Sequence, residues 1–256
     1  MLIDTHCHLF MKPLCGDIGG VLCRAAQKGV SAIIVPAVET SSWRKVAELS
    51  EYPAVYPALG LHPWCADEKL DTGLLGKLLL ETGSVAVGEI GLDFKIEEPD
   101  RHTQITVFRL QLDLASELGL PVILHCRGAF DEMLSILSQK KYDGRISGVV
   151  HAFSRGAALA ERFLKLGYFI AFGGAVTRSR AKRARSSAAA VPLHRIVLET
   201  DSPSIGMDGI DPEQMEPAHV ARIAESLALL RGISSEEVTR ETARNARELF
   251  NIVEGR

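Results

Sequence analysis

Asp4, His6 and His8 occupy alternate positions in the opening stretch Met1-Leu2-Ile3-Asp4-Thr5-His6-Cys7-His8-Leu9. In an extended chain residues i and i+2 point the same way. A short first strand would therefore project both imidazoles from one face, with Asp4, and turn Ile3, Thr5 and Cys7 to the other. Two neutral imidazoles side by side can be half of a site for a divalent cation. The other half can be sought further along the chain. His62 lies in Gly60-Leu61-His62-Pro63, Glu89 in Gly88-Glu89-Ile90-Gly91-Leu92-Asp93, His125 before Cys126 and Arg127, and His151 before Ala152-Phe153-Ser154. Asp201 lies in Glu199-Thr200-Asp201-Ser202-Pro203.

His6, His8, His125, His151, Glu89 and Asp201 are too many ligands for one tetrahedral ion. They suit two ions about 3.5–4 Å apart. Imidazole and carboxylate donors fit zinc, manganese, magnesium, iron or nickel and do not select among them. A carboxylate can bridge such a pair, and Glu89 is the natural bridge. His6, His8 and Asp201 would complete one ion, and His125 and His151 would hold the other. A water between the ions would be acidified to near neutral pH, and Asp201 could orient it and accept its proton as general base. The net charge of such a centre is positive, which favours an anionic substrate such as a phosphodiester over a neutral ester or amide.

These residues can meet only if the chain brings them together. Apolar, β-branched runs at 2–6, 31–36, 54–59, 85–89, 121–125, 147–151, 168–172 and 196–200 read as strands covered on both faces. Helical patterns lie between them, near 18–28, 41–50, 71–82, 101–118, 128–140, 156–166 and 179–189, with two more near 215–231 and 235–250. In the 101–118 pattern, Ile105, Phe108, Leu112, Ala115 and Leu118 mark the apolar face, and Ser234 or Ser235 can cap the last helix. Strand and helix alternate without a linker, which predicts one (β/α)8 barrel domain over 1–256, with a doubly wound open sheet as the competing topology. In a barrel the strand C-termini share one mouth, and each candidate ligand falls at such an end.

Composition sets bounds on partners. The chain has 256 residues, 46% hydrophobic and 24% charged, with a formal net charge of −3, so no global basic field attracts nucleic acid. No apolar run is long enough for a membrane span, and no secretory leader pattern precedes the first strand. Cys7, Cys15, Cys23, Cys65 and Cys126 show no paired spacing, which suggests reduced thiols and a cytoplasmic location. No protein partner is evident.

Taken in order, D-T-H-C-H, G-L-H-P, G-E-I-G-L-D, P-V-I-L-H-C-R, H-A-F-S, E-T-D-S-P and T-A-R-N-A-R-E-L-F span nearly the whole chain. Together they resemble the TatD family of metal-dependent hydrolases. The resemblance implies an amidohydrolase-type metal barrel and a divalent-metal deoxyribonuclease activity. It also implies two metals on His6, His8, Glu89, His125, His151 and Asp201, and a substrate-side role for His62. Related amidohydrolases place a carboxylated lysine at the strand-four position, where this chain has Glu89. Two positions depart from the family pattern: Arg155 replaces the Gly that usually follows H-x-F-S, and Glu213-Gln214-Met215-Glu216-Pro217 replaces R-x-N-E-P on the substrate side. The expected substrate is a DNA strand end or single-stranded segment. An amidohydrolase or lactonase acting on a small ester or amide is the alternative. A barrel that only binds is disfavoured, because every ligand position is filled.

Neighbouring residues have less specific readings. Asp4 and Glu199 share faces with ligands and can orient imidazoles. Arg127 can hold phosphate bidentately, and Trp64 can stack a base. Trp43, Cys7 and Cys126 read as packing residues. The run Arg178-Ser179-Arg180-Ala181-Lys182-Arg183-Ala184-Arg185 could track phosphates, but on a continuous helix its charges spread around the axis, which favours a solvated helix start.

Overall fold

Eight parallel strands pair in sequence order: β1 (Leu2–Asp4), β2 (Val30–Pro36), β3 (Val55–Leu59), β4 (Ala86–Asp93), β5 (Val122–Arg127), β6 (Gly148–Val150), β7 (Phe169–Phe172) and β8 (Ile196–Leu198). This architecture comes from a computed structural model, which describes residues 1–252. Each strand leads into a helix: α1 (Ile18–Gln27), α2 (Ser42–Glu48), α3 (Thr72–Glu81), α4 (Arg101–Leu118), α5 (Phe130–Leu137), α6 (Ala157–Lys165), α7 (Lys182–Ala190) and α8 (Val220–Arg231). A ninth helix, α9 (Ser235–Phe250), follows, with Ser234 as its cap. The fold is a (β/α)8 barrel.

The seam between β1 and β8 closes beyond both strands. Thr5 N–H donates to the Leu198 carbonyl (3.0 Å), Asp201 N–H to that of His6 (2.8 Å), and His8 N–H to that of Ser202 (2.8 Å). The first and last strands are therefore shorter than 2–6 and 196–200. The chain leaves the regular ladder where it takes on this stitching.

β4 and β5 run past the expected ends at 89 and 125, and Asp93 pairs in register with Arg127. The β4–β5 register shifts between Val87 and Ile90, and Glu89 N–H turns to the Ala37 carbonyl (3.1 Å). Such an irregularity re-aims a side chain, here Glu89. Beyond it, Gly91 has φ +148, and a Cβ there would strike the His125 backbone carbonyl.

The barrel interior is filled by Ile3, Ile34, Ala58, Ile123, Phe169 and Val197, and Ala246, Leu249 and Phe250 of α9 join the same cluster. α9 is held at the barrel by Asn245, whose amide donates to the carbonyls of Leu193 (2.9 Å) and Ile196 (2.7 Å). On α4 the buried face includes Gln104 and Gln111, while Ile105 and Leu118 are only half-buried. Hence the face predicted from apolar residues is rotated. No helix among the described residues is long and apolar enough to cross a membrane.

Asn245→Ala should remove two buried hydrogen bonds and lower stability by about 1–3 kcal/mol. The measurement is the denaturant midpoint, read with far-UV circular dichroism to show that the fold is retained.

Candidate metal centre

At the mouth, Glu89 is the meeting point. Its Oε2 lies 3.2 Å from His6 Nε2 and 3.8 Å from His8 Nε2. Its Oε1 lies 2.8 Å from His151 Nε2, 2.9 Å from His125 Nδ1 and 3.3 Å from His62 Nε2. Asp201 Oδ1 stands 3.5 Å from His8 Nε2 and 3.8 Å from His6 Nε2. All of the expected ligands are thus brought together, and the two oxygens of one carboxylate face different imidazole sets. Three overlapping donor groups at this centre are compact enough to hold a metal ion: His6–His8–Asp201, His6–Glu89–His151 and His62–Glu89–His125.

The ring nitrogens face one another as donors for a cation do. His6 Nε2 and His8 Nε2 are 3.2 Å apart, and His125 Nδ1 and His151 Nε2 are 3.3 Å apart. His8 Nδ1 lies 3.1 Å from the Pro36 carbonyl, so the ring donates there and, when neutral, leaves the Nε2 lone pair to the centre. His62 is the reverse. Its Nδ1 accepts from Trp64 N–H (3.2 Å), so the neutral ring points Nε2–H inward and is suited to donate to a bound oxygen rather than to ligate a cation. The donor set and its orientation fit a divalent metal site.

Electrostatics follow from burial. Burial opposes the charge on Glu89, but His151, His62 and His6 outweigh it and hold the carboxyl well below the usual carboxylate range. Burial also opposes protonation of His151, yet Glu89 raises it to about 10. His6 and His62 are lowered to about 4, chiefly by burial. Asp201 is lowered: burial resists its charge, and the hydrogen bond from His8 and the charge of His6 prevail. Burial raises Asp4 to about 7 and Glu199 to about 8.

Asp4 accepts from Thr200 N–H (2.9 Å) and Thr200 Oγ1–H (2.6 Å), so it fastens the β8 end rather than an imidazole. Glu199 accepts from Ala152 N–H and lies 3.9 Å from His151 Nδ1. The Ala152 backbone it steadies is strained, with φ of +47, as is that of Asp201, with φ of +50. Trp43 is buried and donates Nε1–H to the Gly60 carbonyl (2.7 Å).

Asp93 and the α4 glutamines were missed by sequence reasoning. Asp93 is fully buried and accepts from Trp64 Nε1–H (2.8 Å) and Arg127 Nε–H (2.8 and 2.9 Å). Its Oδ2 also lies 3.5 Å from His125 Nε2. Gln104 accepts from Asp93 N–H (2.8 Å) and donates to its carbonyl (3.0 Å), and Gln111 grips Leu61 in the same way (2.7 and 3.0 Å). The available signals were the acid at the end of G-E-I-G-L-D and two amides seven residues apart on a helix.

A cavity of about 310 Å³ opens beside the centre, lined by Trp64, His125, Arg127, Phe130, Arg155 and Asp201 among others. A larger cleft, about 640 Å³, lies by Tyr56, Ser84, Pro121 and Phe250 at the opposite end of the barrel, with none of these donors on its walls.

Comparison with known proteins agrees with this geometry. The family model described as TatD related DNase matches residues 3–251. The uncharacterized metal-dependent hydrolase YjjV of Escherichia coli is 40% identical over 255 residues, covering 98% of each chain. Its crystal structure superposes with a TM-score of 0.92 over 98% of each chain. A TatD family hydrolase from Entamoeba histolytica is 25% identical with a TM-score of 0.86 over 97% of each chain. An uncharacterized amidohydrolase from Saccharomyces cerevisiae, 18% identical with a TM-score of 0.82 over 97% of this chain and 99% of its own, shares the fold.

Because Glu89 favours the protonated form of His151 and a ligating imidazole must be neutral, metal uptake should release at least one proton per protein. Proton release on adding zinc or manganese in weakly buffered solution measures this. Asp93→Ala should free the His125 ring and weaken metal affinity about 10–100-fold, read by metal titration.

Proposed function

The chain belongs to the TatD family of metal-dependent hydrolases, and on that footing we propose that it is a deoxyribonuclease that cleaves phosphodiester bonds at a strand end or in a single-stranded segment. The observation that carries this reading is the placement of Glu89 between two imidazole sets, beside a cavity edged by two guanidinium groups, those of Arg127 and Arg155. In this reading His6, His8 and Asp201 would hold one divalent ion and His125 and His151 a second, and Glu89 would serve both. Zinc, manganese, magnesium, iron and nickel are all compatible. Such ions would acidify a water and polarise a phosphoryl oxygen.

Asp201 is the general base. It lines the cavity, and its carboxyl is held in the ionised form at neutral pH. As the water oxygen bonds to phosphorus, Asp201 takes the proton. The P–O ester bond breaks, and the same proton can pass to the leaving alkoxide. His62 Nε2–H donates to oxygen in the centre. Arg127 spends Nε–H on Asp93 and keeps its terminal nitrogens for a non-bridging phosphate oxygen. Trp64, 53% exposed, offers a face for a base. The free thiols support a cytoplasmic location.

The apolar walls of the same cavity, Phe130, Phe153 and Ile205, favour a second reading: a lactonase or amidohydrolase of small esters or amides. A hydrolysis panel separates the two. With metal added, single-stranded oligonucleotides should be cleaved, lactones and dipeptides should not, and excess chelator should abolish activity reversibly. Turnover of lactones alone would favour the second reading. Asp201→Asn should leave the fold intact and lower kcat about 10²–10⁴-fold, measured on the oligonucleotide.

A further inference from the structure

The cavity beside the metal centre does not stand alone. Ser154 lines it and also lines a second cavity, of about 370 Å³, whose other walls are Ala175, Arg180, Ala181, Lys182, Arg183 and Ala184. The loop that joins them is fixed in place. The Ser187 hydroxyl of α7 donates to the Arg155 carbonyl, and the Arg155 guanidinium lies 5.2 Å from the Phe130 ring centroid. The basic run therefore sits next to the catalytic pocket, one loop residue away.

The helix begins only at Lys182, so Arg178 and Arg180 belong to the turn before it. The helical spread of charges expected from the sequence does not apply there, and Arg180, Lys182 and Arg183 converge on one cavity. All three are exposed. Several other surface cations are paired with acids: Lys77 with Glu81, Lys141 with Asp113, Arg162 with Asp131 and Lys165 with Glu161. No carboxylate among the described residues pairs with Arg155, Arg180, Lys182 or Arg183 in this way. On a chain of net charge −3, this is a local concentration of unpaired positive charge.

We infer that Arg127, Arg155, Ser154 and the Arg180-Lys182-Arg183 cluster form a track for the phosphate backbone of a single DNA strand whose reactive phosphodiester lies at the metal centre. Cations placed in series beyond the reacting bond match a polyanion that repeats its charge along its length. A small ester would leave the outer cluster unused. The inference rests on the phosphodiesterase reading and adds the direction in which the strand leaves the pocket.

The test uses the metal-loaded protein and the variant R180Q/K182Q/R183Q, with two substrates: bis(4-nitrophenyl) phosphate and a single-stranded 20-mer. Because all three side chains are exposed, the variant should melt with the parent. Its KM for the 20-mer should rise at least tenfold. The slope of log affinity against log salt should fall by about 2, as expected for three lost phosphate contacts on a single strand. Kinetics on the small diester should match the parent. The track is overturned if the variant cleaves and binds the 20-mer as the parent does, or if both substrates suffer equally. If the parent itself hydrolyses neither substrate, the phosphodiesterase reading fails first and the track goes with it.

Discussion

A carboxylate with its charge intact, buried at the centre of a protein, must be surrounded by compensating groups. Glu89 imposes that requirement here. It is 2% exposed, and the groups that face it come from the ends of β1, β3, β5 and β6, with Asp201 behind them from the end of β8. A barrel is the architecture that can deliver side chains from so many separate segments to one point. Glu89 favours protonated imidazole, which can balance the acid. With a cation bound, metal can take over that charge.

The rings would be of little use if they could turn freely. Three of them face a partner on the far side. The Pro36 carbonyl settles His8, Trp64 N–H settles His62, and Asp93 faces the far side of His125. The glutamines of α4 satisfy backbone groups at Leu61 and Asp93. Asp93 faces the His125 ring, an indole and a guanidinium, so the orientation of His125 and the shape of the cavity wall share one anchor.

The barrel and the donor set were legible because both are written in residue type. Apolar runs alternating with amphipathic stretches indicate the strands and helices, and histidines and acids at strand ends stand out against apolar neighbours. What stayed hidden depends on departures from regular geometry. The register shift at Val87–Ile90 lets β4 continue to Asp93, and no periodicity argument predicts a bulge. Gln104 and Gln111 lie on the buried face of α4 because backbone polar groups wait there, so a search for apolar residues misplaces that face. The basic run was read on a continuous helix, and its grouping appears only once the helix is seen to start at Lys182.

The stitching of the barrel seam has a consequence for biosynthesis. His6 and His8 are made well before the residues that lock them in place, Asp201 and Ser202, which lie nearly two hundred positions further along. A nascent chain, or a fragment cut short of the eighth strand, lacks both the closing bonds and an acid of the cluster. The cluster can therefore be completed only after the eighth strand has been made, so a polypeptide that stops short of it presents no half-assembled centre.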